Sequence, residues 1–218
     1  MARQGGDGKG GKPRRLRLWK TLRRRTLLRC GKFLTVEEHT IRLPDGRIIR
    51  NWPWVITPNF VNVVAVTRGG RFLCFRQTKY AVRGETLAPV GGYIDAGEHP
   101  LRAARRELLE ETGYSARRWT RLGAFPVAAN RGVARGYFYL AQDARRVAAP
   151  RADDLEEQEL LRLSRQELER QIDAGAFKTL AWTAALVLAL RRLDAPRGWR
   201  DRAARRGRRG RSPSRRVE

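Results

Sequence analysis

The chain has 218 residues, and 41% of them are hydrophobic, which is enough for the core of one substantial domain with extensions. Its formal charge of +25 is concentrated at the ends: residues 1–32 carry +11 and residues 197–218 carry +8, so residues 33–196 carry only +6. The most apolar stretch, residues 180–190, is about half the length that crosses a bilayer, which excludes a membrane span and favours a core helix.

The two basic ends are of low complexity and are predicted to be disordered tails, because they contain too little apolar surface to pack. We assign residues 1–18 and 195–218 to these tails and residues 19–194 to one folded domain. Basic tails attract polyanions such as RNA, DNA, anionic lipid or acidic protein without selecting among them. A purely solubilising role of the Arg-rich ends is the alternative.

The two cysteines, Cys30 and Cys74, form no CxxC pair, and no histidine cluster accompanies them. A zinc site is therefore not predicted. The N-terminal segment also lacks the continuous apolar stretch of a secretory signal. These features predict a reduced, cytoplasmic setting in which both cysteines are buried as small hydrophobic residues.

The first half of the chain has the residue pattern of antiparallel strands. Segments rich in β-branched and aromatic residues are separated by Gly-containing turns, which predicts two hairpins. Their strands are expected at residues 33–40, 48–49, 59–67 and 71–77.

The second half adds helices to these strands. Pro100 suits the first turn of a helix that Gly113 ends, and Ser164 with Glu167 forms a capping box for a second helix. Strict alternation of strands and helices is missing, which predicts an α/β sandwich rather than a doubly wound sheet. The remaining elements are expected as strands at 119–127, 136–141 and 159–163, with a last, buried helix at 178–192.

Three carboxylates on the predicted central helix are the main chemical signal. Glu107, Glu110 and Glu111 stand at positions i, i+3 and i+4, so they share one helix face. Such hard oxygen ligands suit Mg²⁺ or Mn²⁺. On these three residues alone, a solvated acidic face is the alternative.

The surrounding pattern decides between these two interpretations. Gly92 is followed six residues later by Glu98, and after seven more residues come Arg106 and Glu107, then Glu110, Glu111 and Gly113. Residues 92–114 resemble the complete 23-residue signature of the Nudix hydrolase family. The resemblance implies an α/β/α sandwich with a mixed sheet and a loop-helix-loop catalytic motif.

The resemblance also implies an activity and residue roles. Family members use Mg²⁺ or Mn²⁺ to hydrolyse nucleoside diphosphates linked to another group, so a small nucleotide substrate is expected. Glu107 and Glu111 would be the principal metal ligands, with Glu110 alongside and the carbonyl of Gly91 as a further ligand. Arg106 would brace the signature by pairing with Glu98. The structural positions of the signature would be Gly92, Glu98 and Gly113.

Outside the signature, the chain has Phe75-Arg76-Gln77, then Tyr80, then Leu87-Ala88-Pro89 leading to Gly92. This pattern is similar to the ADP-ribose and nucleotide-sugar pyrophosphatase branch. In that comparison Arg76 would contact a substrate phosphate, and Glu156 would orient or deprotonate the attacking water. A surface role for Arg76, and a solvated loop or a neighbouring acid in place of Glu156, are the alternatives; Glu159 is expected to matter little. Trp52 and Trp54 would stack a base, often across a dimer in this branch, so a homodimer is among the expected assemblies.

One departure from that branch puts ADP-ribose itself in doubt. The expected proline-glycine loop followed by an acid is replaced by residues 127–135, which carry Arg131 and Arg135. The leading expectation is still hydrolysis of ADP-ribose or a nucleotide sugar. The alternatives are an RNA 5'-pyrophosphohydrolase, favoured by the basic charge, and a dinucleoside polyphosphate hydrolase.

Overall fold

The computed structural model describes residues 15–151 and 157–195. The predicted tails therefore lie outside the described residues, except for residues 15–18 and 195, and so does Glu156. The chain divides into two compact units, residues 1–56 and residues 57–218. Each unit is described by itself.

The N-terminal unit is a three-stranded antiparallel sheet in the order β1-β2-β3. Its strands are β1 (Lys20–Cys30), β2 (Leu34–Arg42) and β3 (Ile48–Ile56). The sequence predicted β2 and β3 but not β1, because five basic residues in eleven look like part of a charged tail. Cys30 at the end of β1 is exposed, so its predicted burial is wrong, whereas Cys74 is buried and burial raises its pKa to about 12.

The second unit contains an eight-stranded mixed sheet. Its central path runs β11-β5-β4-β10-β8, while β6 pairs with β5, β7 with β4 and β9 with β10. Strands β4 and β10 are parallel, and every other pair is antiparallel. The strands are β4 (Phe60–Thr67), β5 (Phe72–Lys79), β6 (Val82–Ala88), β7 (Val90–Tyr93), β8 (Tyr114–Ser115), β9 (Arg118–Pro126), β10 (Arg135–Arg146) and β11 (Gln158–Leu163).

Helix α1 (Pro100–Thr112) covers one face of this sheet. Its first turn is capped by the side chain of His99, and it ends at Gly113, whose φ of 72° is the left-handed conformation that glycine adopts without strain. Ala103, Ala104 and Leu108 are fully buried against strand residues such as Val61, Val63 and Tyr139. This packing fixes the helix that carries the three glutamates.

Helices α2 (Arg165–Asp173) and α3 (Leu180–Asp194) cover the opposite face. The capping box predicted at Ser164 and Glu167 is present in both directions. Leu168 and Leu186 are fully buried there. The second unit therefore has helices on both faces of its mixed sheet, which confirms the predicted α/β/α fold.

Within the part of the chain that the structure describes, no helix is long and apolar enough to cross a membrane.

Candidate functional site

The candidate site is built where β7 leads into α1. Gly91 and Gly92 lie on β7, opposite Asn62 and Val61 of β4. A Cβ atom at Gly92 would overlap the carboxylate of Glu107, and a Cβ atom at Gly91 would overlap the carbonyl of Val61. Both positions thus require the absence of a side chain, and the one at Gly92 lets a glutamate of the helix reach the strand.

Arg106 holds this region together. Its guanidinium donates to Glu98 at 2.9 and 3.2 Å, to Glu107 at 2.8 Å, to Glu110 at 3.1 Å and to the carbonyl of Tyr93 at 3.0 Å. The hydrogen bond with Glu98 is the main cause that raises the Arg106 pKa and lowers the Glu98 pKa. The structure therefore joins the loop before α1 to the acidic face of α1 through one side chain.

Glu107 is much more enclosed than Glu110 on that face. Its side chain is 12% exposed, compared with 47% for Glu110. Burial raises the pKa of Glu107, and the charge of Arg106 acts in the opposite direction. A further positive charge beside this carboxylate would stabilise its ionised form.

Glu111 approaches the same strand one residue earlier. Its Oε2 accepts a hydrogen bond of 3.2 Å from the backbone N–H of Gly91. Glu107 and Glu111 thus both reach the Gly91–Gly92 segment, whose Gly91 carbonyl is the third expected metal ligand. Glu110 is turned to Arg106 instead.

The oxygen donors near β7 determine which cation the site could hold. The described residues contain no group of three or more His, Cys, Asp or Glu side chains gathered closely enough to hold a metal ion. Glu110 pairs with Arg106, whereas Glu111 accepts from Gly91 and Glu107 lies against Gly92. The carboxylates of Glu107 and Glu111, which both lie against β7, are hard oxygen donors of the kind that Mg²⁺ or Mn²⁺ prefers.

Arg76 lies on β5 in a polar cleft of about 670 Å³. It donates to Glu159 of β11 at 2.7 to 2.9 Å, and it lies 3.6 Å from Glu85 of β6. These contacts follow from the sheet, since Arg76 is directly opposite Glu159 in the pairing of β5 with β11. Arg76 therefore belongs to an ion-paired group and is not a lone surface cation.

The two predicted stacking residues lie on β3 of the N-terminal unit. Trp52 makes an edge-to-face contact with Trp19, with ring centroids 5.4 Å apart, and Trp54 stacks on His39 at 4.9 Å. Base stacking by Trp52 and Trp54 stays a prediction. Both rings already have an aromatic neighbour within their own unit.

Two features of the site were not predicted from the sequence: the carboxylates that hold Arg76, and Asn62. Glu85 and Glu159 hold Arg76, and the signal that identifies them is the antiparallel pairing of β5 with β6 and β11, which a single sequence does not reveal. Asn62 is buried on β4 beside Gly91, and its Nδ2 has no partner among the described residues. A polar residue within an apolar strand sequence is the signal that could have identified Asn62.

Comparison with known families identifies the second unit. A model of the NUDIX domain matches residues 57–183, more than half of the chain. The chain belongs to the Nudix family. A model described as the nucleoside diphosphate sugar hydrolase N-terminal domain matches residues 19–55 of this Nudix chain, which corresponds to the three-stranded unit.

Two curated proteins are similar in sequence to part of this chain. The chain is 33% identical over 95 residues to an ADP-ribose pyrophosphatase of Bacillus subtilis (strain 168), covering 44% of this chain and 51% of that protein. It is 29% identical over 84 residues to a methanol dehydrogenase activator of Bacillus methanolicus, covering 38% and 45%. The chain thus spans about half the length of the curated relatives that it matches.

A solved structure shows the same fold over most of the chain. This is the crystal structure of an ADP compounds hydrolase. The two chains superpose with a TM-score of 0.68 at 22% identity, over 83% of this chain and 96% of that chain. At this identity the likeness supports the fold alone.

Proposed function

We propose that this Nudix chain is a pyrophosphohydrolase that requires a divalent cation and cleaves ADP-ribose or a nucleotide sugar. The observation that carries the proposal is the approach of Glu107 and Glu111 to the Gly91–Gly92 segment, with Arg106 bracing the same loop and helix. The relatives support the substrate class, since one is named an ADP-ribose pyrophosphatase and the N-terminal match is to a nucleoside diphosphate sugar hydrolase domain.

In this proposal, Glu107, Glu111 and the carbonyl of Gly91 hold the cation. When bound, such an ion neutralises the diphosphate and lowers the pKa of an attacking water. Glu110 lies beside this group and shares Arg106 with Glu107. Arg106 keeps these carboxylates in position, because its five contacts fix both the loop and the helix.

Two further roles complete the proposed reaction. Arg76 contacts a substrate phosphate, with Glu159 fixing the direction of its guanidinium. Glu156 orients the water or accepts its proton, as the resemblance implies. The oxygen of water bonds to one phosphorus as the bridging P–O bond breaks, so ADP-ribose and water give AMP and ribose 5-phosphate.

The test is a substrate panel with the purified full chain. ADP-ribose, nucleotide sugars, a dinucleoside polyphosphate and 5'-triphosphate RNA are incubated with Mg²⁺, with Mn²⁺ or with EDTA, and the products are separated by ion-exchange chromatography. Cleavage of ADP-ribose or a nucleotide sugar only in the presence of a cation supports the proposal. Turnover in EDTA, or cleavage of none of these compounds, contradicts it.

A second candidate is hydrolysis of a more anionic substrate, namely the 5' end of RNA or a dinucleoside polyphosphate. Two observations favour it. Arg131 lies in the loop between β9 and β10 and Arg135 is the first residue of β10, and the chain has a charge of +25. Preference for the RNA or dinucleoside polyphosphate in the same panel would replace the first candidate.

A further inference from the structure

A second cavity lies at the opposite end of α1 from Glu111. It has a volume of about 440 Å³, within the range of small-molecule sites, and lies where the start of α1 meets β9 and β10. Ten residues separate Leu101 from Glu111, which places the two regions about 15 Å apart along the helix. Its lining residues include His99, Leu101, Trp119, Arg121, Tyr137 and Tyr139.

The aromatic walls of this cavity are held in fixed positions. The indole N–H of Trp119 donates to the carbonyl of Ala116 at 3.0 Å, and its ring meets Tyr139 edge to face with centroids 6.4 Å apart. Tyr139 is buried, whereas Trp119 and Tyr137 are half-buried and so present part of their rings to a ligand. Rigid aromatic surfaces of this kind bind planar rings.

Two arginines lie close to these aromatic rings, and one of them, Arg121, lines the cavity. The guanidinium of Arg121 lies 5.9 Å from the ring centre of Tyr137, and that of Arg105 lies 5.9 Å from the ring centre of Trp119. Among the described residues, neither arginine has a carboxylate partner, in contrast to Arg76, Arg106 and Arg118. No Asp or Glu lines the cavity within the described part of the chain. The cavity therefore combines stacking surfaces with positive charge that no acid neutralises.

We propose that this cavity binds a nucleotide unit separate from the one that is cleaved. The base stacks against Trp119 and Tyr137, and the phosphate is held by Arg121, the arginine that lines the cavity. The same chemistry is presented by a free mononucleotide and by one nucleotide of single-stranded RNA. The proposal does not depend on the catalytic activity, because it rests on residues away from the glutamates.

The test measures binding without catalysis. AMP and a 5'-hydroxyl oligoadenylate, neither of which has a phosphoanhydride to cleave, are titrated into the full chain carrying Glu111→Gln in EDTA. Binding is followed by equilibrium dialysis. We expect both probes to bind, and we expect Arg121→Gln in the same background to weaken them about tenfold.

Two comparisons distinguish binding in this cavity from non-specific electrostatic attraction of nucleotides to a basic chain. Arg145→Gln removes the same charge from an exposed position on β10 outside the cavity, and it should leave AMP binding unchanged. Trp119→Phe should retain binding and Trp119→Leu should weaken it, while Arg121→Gln alone should leave turnover of a small substrate unchanged. Much tighter binding of the oligoadenylate identifies RNA as the source of the nucleotide, and equal binding identifies the free nucleotide. If neither probe binds, or if Arg145→Gln weakens binding as much as Arg121→Gln, the proposal is overturned.

Discussion

At the scale of single residues, Glu111 gives the sharpest test of the proposed chemistry. Glu111→Gln keeps a side chain that fits beside Gly91 but removes the negative charge. Turnover should fall by roughly 100-fold or more, because a neutral amide is a poor ligand for a hard cation. The matched control is Glu169→Gln on α2, whose carboxylate pairs with Arg165 away from β7. Wild-type turnover in the Glu111 variant would rule out the metal assignment.

A second prediction at this scale concerns Glu159. Its contacts with Arg76 change the expectation from the sequence that Glu159 matters little. Because Glu159 holds Arg76 at 2.7 Å, Glu159→Gln should raise the KM for the diphosphate substrate about fivefold with little change in kcat. Both side chains are about half exposed, so the free energy of unfolding should hardly change. Glu85→Gln, with its contact of 3.6 Å, should have a smaller effect. A loss confined to kcat would indicate a role in proton transfer instead.

The sequence predicted the residues of the signature better than their partners. Spacing along one helix placed Glu107, Glu110 and Glu111 on one face, because helical geometry is local. It did not predict that Arg106 holds Glu110 while Glu111 turns to Gly91, since these choices depend on contacts between α1 and β7. The acid at Glu156 lies outside the described residues, so its assignment rests on resemblance.

At the scale of elements, β7 combines two adjacent glycines with different neighbours. At Gly92 an added methyl group would meet only the flexible end of Glu107, whereas at Gly91 it would meet the backbone carbonyl of Val61. Gly92→Ala should therefore displace the Glu107 carboxylate and lower turnover at least tenfold with little change in Tm. Gly91→Ala should lower Tm by several degrees, because the strand must shift. Equal Tm values for the two variants, measured by circular dichroism, would contradict this reading of β7.

The loop before α1 should make stability depend on pH through Glu98. Its pKa is held below the ordinary value of 4.5, mainly by the hydrogen bond from Arg106. A lowered folded-state pKa stabilises the fold above the unfolded pKa, and that stabilisation is lost as pH falls through the folded pKa. At pH 7, Arg106→Gln should cost roughly 2–3 kcal/mol, less than the 3–5 kcal/mol typical of a fully buried pair.

The difference in unfolding free energy between wild type and this variant should therefore shrink as pH is lowered below about 4.5. Urea titrations at a series of pH values measure it directly. Arg145→Gln, at an exposed position on β10, serves as the control for loss of one positive charge, because Arg145 is not among the groups that shift the Glu98 pKa. A difference that stays constant down to pH 3 would show that the Arg106–Glu98 pair does not contribute through ionisation.

The sequence did not predict β1, β6, β7 and β8 as strands. For β1 and β7 the physical cause is the same. β1 is exposed along its whole length and rich in arginine, so neither alternation nor hydrophobicity marks it. β7 has two glycines in four residues, a composition that predicts a turn. Both are strands because a neighbouring strand supplies their hydrogen bonds. Hydrophobic strands and capped helices, by contrast, carry their signals locally.

At the scale of the whole molecule, the structure changes how the positive charge is divided between the predicted tails and the folded part of the chain. Residues 20–30 form β1, so part of the +11 carried by residues 1–32 belongs to a folded sheet. Deleting residues 1–15 and 197–218 removes +4 and +8, which leaves a chain with a charge of +13. The remaining excess is still large enough to attract polyanions.

This truncation separates catalysis from attraction to nucleic acid. The deleted segments contain neither the glutamates of α1 nor the residues of the cavity at its start, so kcat and KM for a small substrate should stay within about twofold of the full chain. Binding of single-stranded RNA should weaken and its salt dependence should flatten, since each lost phosphate contact lowers the slope of log K against log salt by about 0.7. The measurement is a set of RNA titrations at increasing salt for both chains, with turnover assayed in parallel. An unchanged slope would show that the ends do not contact RNA, and lost turnover in a chain with an unchanged circular dichroism spectrum would show that they take part in the reaction.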